Sequence, residues 1–170
     1  MFKNELLDRF HALPFQKDVI GLGYEDSDTT YFCTPIGAQI IGWLGVDGIH
    51  FCFIPSISYD MVFVVSPIPC GQHFVEPIAW SFKDFLSLVI FCKDASPLEQ
   101  ICWMSEKQFT ELIKSEIENS CLAKDSLLTT LGKEFEIEAH TNVYQYVKDL
   151  QAGFNYQSIP FSKEYYDNYT

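Results

Sequence analysis

Four short runs of β-branched and aromatic residues follow one another between Thr30 and Ser66: TYFCT, AQIIGWL, IHFCFI and MVFVVS. The stretches that separate them, PIG, GVDG and PSISYD, are only three to six residues long. Parallel neighbours need a crossover of about a dozen residues or more, so connections this short make consecutive strands antiparallel. Val46-Asp47-Gly48, ending in Gly, reads as a hairpin turn. The following stretch, PIPCGQHFVEP, carries three prolines and is predicted to be no central strand, because proline lacks the N–H a ladder needs.

Helical spacing dominates the rest. KNELLDRFH (3–11) sets Leu6, Leu7 and Phe10 on one face of a short helix, and GLGYEDSDTT (21–30) then reads as a loop. Ser81 is placed to cap SFKDFLSLVIFCK, where Phe82, Phe85, Leu86, Val89, Ile90 and Cys92 cover well over half the circumference, the mark of a deeply buried helix. Ser96-Pro97-Leu98-Glu99 and Ser105-Glu106-Lys107-Gln108 both have the capping-box pattern. The second opens a helix with Phe109, Leu112, Ile113 and Ile117 on its inner face. FEIEA (135–139) alternates like an edge strand, and NVYQYVKDL (142–150) supplies a last helix. Strands first and helices after give an α+β class: a mostly antiparallel, twisted meander with helices packed against it. Trp43, Phe51 and Phe53 are expected on the face those helices cover. The whole chain, 1–170, reads as a single domain, with 153–170 a loose tail.

With 48% hydrophobic residues the chain is too apolar for disorder, and its longest apolar run, Leu86–Cys92, is too short to cross a bilayer. MFKNELLDRF has acids where an export signal would be basic and apolar, so a cytoplasmic location is expected. Six scattered cysteines in a reducing compartment then read as small core residues rather than a disulfide framework. The net charge of −12 is spread evenly, with 3 basic against 9 acidic groups in residues 1–80 and 8 against 14 in residues 81–170. That field disfavours nucleic acid and anionic membranes and favours a basic protein partner.

The chemistry-bearing residues cluster around the central strands. A phosphate loop runs from a strand into a helix and usually supplies a Lys, whereas Gly42–Gly48 runs from strand to strand and holds an Asp; it reads as a turn. His50 and Cys52 lie on one face of a strand, and Cys70 and His73 follow in the next loop. Together they form the set from which a zinc site or a thiol nucleophile would have to be built, although the spacing matches no common ligand pattern and no partner fixes an imidazole. Glu25, Asp26 and Asp28 form an acidic loop, and Glu76 and Asp84 read as capping or solvated acids. No catalytic, metal or cofactor assignment follows.

GWLGVDGIHFCFI (42–54) and MVFVVSP (61–67) resemble the central strand pair of the SUKH superfamily, bacterial immunity-type proteins related to fungal glucan-synthesis regulators. FVEPIAWSFKDFLSL (74–88) is similar to that superfamily's loop into an "sF.dFL" helix, here Ser81, Phe82, Asp84, Phe85 and Leu86. The family's usual longer opening helix and "LP..y..fL...nG" segment are represented only by Leu13-Pro14, and the region beyond Trp103 is longer than a minimal member needs. The resemblance implies a mixed α+β domain without catalytic residues that binds and neutralises a toxin, often a nuclease. Under it, Glu25, Asp26, Asp28, Asp47 and Asp60, acids in loops and turns, are the expected contacts to a basic toxin domain. The rival readings are a metal- or thiol-dependent enzyme built on His50, Cys52, Cys70 and His73, and a regulatory scaffold with no toxin partner.

Overall fold

Short turns order the sheet. In the computed structural model, which describes residues 4–24 and 29–169, β1 (Gln39–Trp43), β2 (His50–Ile54), β3 (Ser58–Cys70) and β4 (His73–Ala79) lie in the order β1-β2-β3-β4. Every neighbouring pair is antiparallel, as the turn lengths require. The β1–β2 turn is closed by Leu44 N–H to Ile49 O (2.9 Å) and Ile49 N–H to Val46 O (3.0 Å). Asp47 sits there at φ +51° between two positive-φ glycines, Gly45 and Gly48.

The strand expected at TYFCT needs correction, while the proline-bearing stretch is strand but at the rim. TYFCT forms a turn, in which Thr34 N–H donates to Tyr31 O and the Thr34 hydroxyl accepts from Tyr31 N–H, both at 2.9 Å. Such local side-chain bonds compete with a ladder, and Pro35 follows at once. The proline-bearing stretch 67–77 is a hairpin at the rim of the sheet. β2 pairs with β3 only from Ser58 to Val65, so Pro67 and Pro69 extend beyond it, and Pro77 lies on the edge strand β4. There the missing N–H leaves no ladder bond broken.

Both faces of this sheet are covered. On one, Phe51, Phe53, Val62 and Val64 pack with helix α2 (Phe82–Cys92), the Phe51–Phe85 and Phe53–Phe82 rings lying 5.1 and 5.7 Å apart. Ser81 Oγ accepts from Asp84 N–H and Asp60 Oδ1 from Phe82 N–H, so two side chains satisfy the start of α2. Helix α1 (Glu5–Ala12) adds Leu7 and Phe10 to this core. On the other face, Cys52, Ile54, Phe63, Val65 and Val75 meet Cys33, Leu150, Ile159 and Tyr165. The tail expected to be loose therefore forms part of a core: Ile159 is buried, Ile36 N–H donates to Pro160 O at 2.8 Å, and α7 (Lys163–Tyr169) buries Tyr165. Trp43 also turns to this second side. Its ring lies 4.4 Å from that of His50, away from the helices.

The remaining helices follow their caps with some departures. α3 (Ser96–Gln100) has Ser96 as its first helical residue, and Asp94 rather than Ser96 supplies the oxygen at its start, accepting from Ser96 N–H at 2.9 Å. α4 (Glu106–Glu118) has the expected Ser105–Gln108 box and buries Phe109 and Ile113, but Ile117 is exposed. α5 (Leu122–Phe135) has no counterpart in the spacing analysis. Its exposed Leu122 and its Thr129, Thr130 and Gly132 blur the apolar stripe. FEIEA is the end of that helix: Phe135 is buried in it, Glu136 takes a left-handed φ of +53°, and Ile137 N–H closes on Gly132 O at 3.0 Å. α6 (Val143–Gly153) places Val147 in the first core and Leu150 in the second.

Gly42 reports on how β1 is held. A Cβ there would meet the Leu22 backbone at 2.8–2.9 Å, while one at Gly153 would meet nothing within 4 Å. Gly42→Ala should lower stability by about 1–3 kcal/mol in urea unfolding, and Gly153→Ala should not. Equal, small effects would show that Leu22 does not press on β1.

Candidate functional site

His50 and Cys52 share a face of β2, as the period of a strand requires, and both are fully buried. His50 Nδ1–H donates to Gly48 O at 2.9 Å and Nε2 accepts from the Thr34 hydroxyl at 3.4 Å, so both ring nitrogens are engaged inside the fold. Burial holds the His50 pKa below its usual value and pushes the Cys52 thiol far up. Cys70 and His73 face each other at the tip of the β3–β4 hairpin, well beyond Val65, the residue that pairs with His50. The His73 ring stacks on Tyr156 at 3.7 Å. The four do not converge, and the described residues contain no group of three or more His, Cys, Asp or Glu arranged to hold a metal.

A different cluster surrounds Cys70. Glu76, expected on a solvated face, is 7% exposed on β4 and accepts from the Tyr156 hydroxyl at 2.5 Å. Cys102 is in side-chain contact with Cys70, and its thiol donates to Glu99 O at 3.6 Å. A carboxylate inside the apolar run FVEPIA was the available sequence signal. Its partner Tyr156 belongs to the tail, which spacing alone does not bring back to the sheet.

A cavity lies beside the β1–β2 turn, at the same end of the sheet as the β3–β4 tip. It has a volume of about 680 Å³ and is lined by Tyr24, Tyr31, Trp43, His11, Asp18 and Asp47, among others. The 3-10 turn Lys17–Ile20 and the residues after it form one wall, and the β1–β2 turn forms another. Gly42 lets the backbone of Leu22 approach β1, and Trp43 N–H donates to Gly23 O at 2.6 Å, which fixes Tyr24 at the cavity. Tyr31 and Trp43 rings lie 5.9 Å apart, and Tyr24 stacks on His11 at 3.9 Å.

The charges around it are uneven. His11 Nε2–H donates to Ile41 O at 2.8 Å, and burial lowers the pKa of the ring, so it is neutral at pH 7. The Lys17 ammonium is held by the carbonyls of His11 and Leu13. Asp18 and Asp47 are both exposed, and the ion pairs among the described residues, Lys93–Asp125, Lys124–Asp94 and Lys124–Glu116, involve neither. Glu99 is pushed up by burial, with the charge of Asp47 adding to the effect, while the Trp103 side chain stabilises its ionised form.

Of the acids expected to meet a partner, Asp47 is on this rim. Asp60 is half-buried and serves the start of α2, away from it. Glu25, Asp26 and Asp28 lie outside the described residues. Asp18 was missed, since a single acid before a Gly-rich loop carries no spacing signal. No family model, curated protein or solved structure matches the chain. No helix among the described residues is long and apolar enough to cross a membrane.

Glu76 generates a pH dependence. Burial raises its pKa from 4.5 to about 7, against the opposing effects of Tyr156 and Lys148. Between those values the folded protein keeps a proton that the unfolded chain releases, so its contribution to stability is lost as pH rises through the window. Glu76→Gln should therefore raise the Tm at about pH 8 and change it little at about pH 5. A pH-independent difference between variant and parent would show that Glu76 does not titrate there.

Proposed function

We propose that this chain is a non-enzymatic protein-binding module that holds a basic partner, in the manner of a SUKH-type immunity protein neutralising a bacterial toxin such as a nuclease. The observation that carries the reading is the uncompensated acidity beside the cavity. Asp18 and Asp47 are exposed without an ion-pair partner among the described residues, in a chain of net charge −12. Around them stand Tyr24, Tyr31 and Val46, which are 46%, 39% and 56% exposed. Partly exposed tyrosines next to free charge are the composition of a recognition surface, where aromatic side chains anchor and charge steers encounter.

The SUKH resemblance of residues 42–54, 61–67 and 74–88 supports the same reading. Its positions coincide with the β1–β2 turn, the central strands and α2, which carry the cavity and its support. The enzyme reading would need His50, Cys52, Cys70 and His73 together, and they occupy separate parts of the sheet. A scaffold without a toxin would use the same surface on a partner from its own cell.

Expression of this chain should protect cells from a toxin encoded beside its gene, and the two proteins should be recovered as a complex. Association should slow steeply as ionic strength rises, because the encounter is electrostatically steered. Unchanged toxin sensitivity would refute the immunity reading, and a host-protein complex with no effect on toxin would favour the scaffold.

A further inference from the structure

We propose that the cavity beside the β1–β2 turn seats one guanidinium group, the arginine side chain of a protein partner, between the aromatic faces of Tyr24, Tyr31 and Trp43 and the carboxylates of Asp18 and Asp47. This deepens the proposed function and rests on it for the source of the arginine. The chemistry of the lining selects the ligand. Aromatic faces attract a cation through their quadrupole, Trp and Tyr most strongly, and a planar guanidinium also stacks on them. Carboxylates accept its N–H groups in charge-assisted bonds. Arginine suits the site better than lysine, whose ammonium is compact and strongly hydrated.

An anion has little to bind there. The Lys17 ammonium donates to two backbone carbonyls, and the Nε2–H of His11 is committed to Ile41 O. A neutral saccharide would also stack on such rings, but it would leave the carboxylates of Asp18 and Asp47 uncompensated. At about 680 Å³ the space exceeds one side chain, leaving room for the flanking backbone of a partner loop.

The test uses the full chain titrated with N-acetyl-arginine amide, followed by NMR at the Trp indole N–H groups. Parallel titrations use the equivalent lysine and citrulline compounds and a disaccharide. The arginine compound should shift the Trp43 resonance and bind about tenfold tighter than citrulline, which has the same shape without the charge. Lysine should fall between them. The Asp18→Asn/Asp47→Asn double variant should lose about tenfold in arginine affinity, and asparagine tolerates the left-handed φ of Asp47, so the turn is kept. Trp43→Phe, which retains a ring, should weaken binding less than the double variant. Equal binding of citrulline, preference for the disaccharide, shifts confined to Trp80 or Trp103, or an unaffected double variant would each overturn the seat. If the arginine compound fails while a basic toxin is still held, this inference falls and the proposed function stands. If arginine binds as expected and no protein partner is held, the seat stands and the proposed function falls.

Discussion

β2 has no side that faces water. All five of its residues, His50–Ile54, are buried, with Phe51 and Phe53 pressed against α2 and Cys52 and Ile54 against the tail. A strand covered on both faces has to bring its own polar groups to satisfaction, because an unpaired buried donor or acceptor costs roughly 1–3 kcal/mol. His50 meets that requirement through Gly48 and Thr34, which explains why the turn at 31–34 folds back rather than continuing as a strand. The same demand draws the chain from Gly153 onward over the second face, where Ile159 and Tyr165 close what would otherwise be exposed Phe63 and Val65. Two cores on one sheet make the ends of the chain interdependent.

The edges are managed by different means. β1 is bridged by Gly23 through Trp43, an approach that only the missing side chain at Gly42 permits. β4 is flanked by α6, whose Gln151 side chain donates to Pro77 O at 3.5 Å. Its extension with β3 is proline-bearing and ends in a turn at Gly71, with φ of +63°. Among the described residues, neither edge offers a long unpaired ladder for another chain to join. Toward the β3–β4 tip, Cys70, Cys102 and Glu76 are tucked in beside Tyr156. Beside the β1–β2 turn, at the same end of the sheet, aromatic rings and the exposed carboxylates of Asp18 and Asp47 surround open space.

That contrast separates burial from exposure as sources of function. Charge withdrawn from water shifts its pKa and becomes neutral, as the Glu76 carboxyl does near pH 7. Charge left in water, such as that of Asp18 and Asp47, keeps its field available to a partner. The cysteines and histidines, which look like the chemical centre of the sequence, mostly serve the first condition. Cys33, Cys52 and Cys92 are buried and all six thiols are free.

Much of the architecture was legible from local patterns. Turn lengths set the antiparallel order, Ser81 and Ser105 marked two helix starts, and the spacing of Phe82, Phe85 and Val89 announced a buried helix. These features depend on interactions within a few residues, so a linear reading contains them. Asp47 was legible as an exposed turn acid for the same reason. The near-continuous burial of HFCFI could have warned of a second covered face, but an apolar run does not say what covers it. The fate of the tail, the turn at TYFCT, the helical end at FEIEA and the meeting of Asp18 with Trp43 and Asp47 were decided only by tertiary structure. Each depends on which distant surface a segment reaches, and that choice is made by the shared burial of residues far apart in the chain.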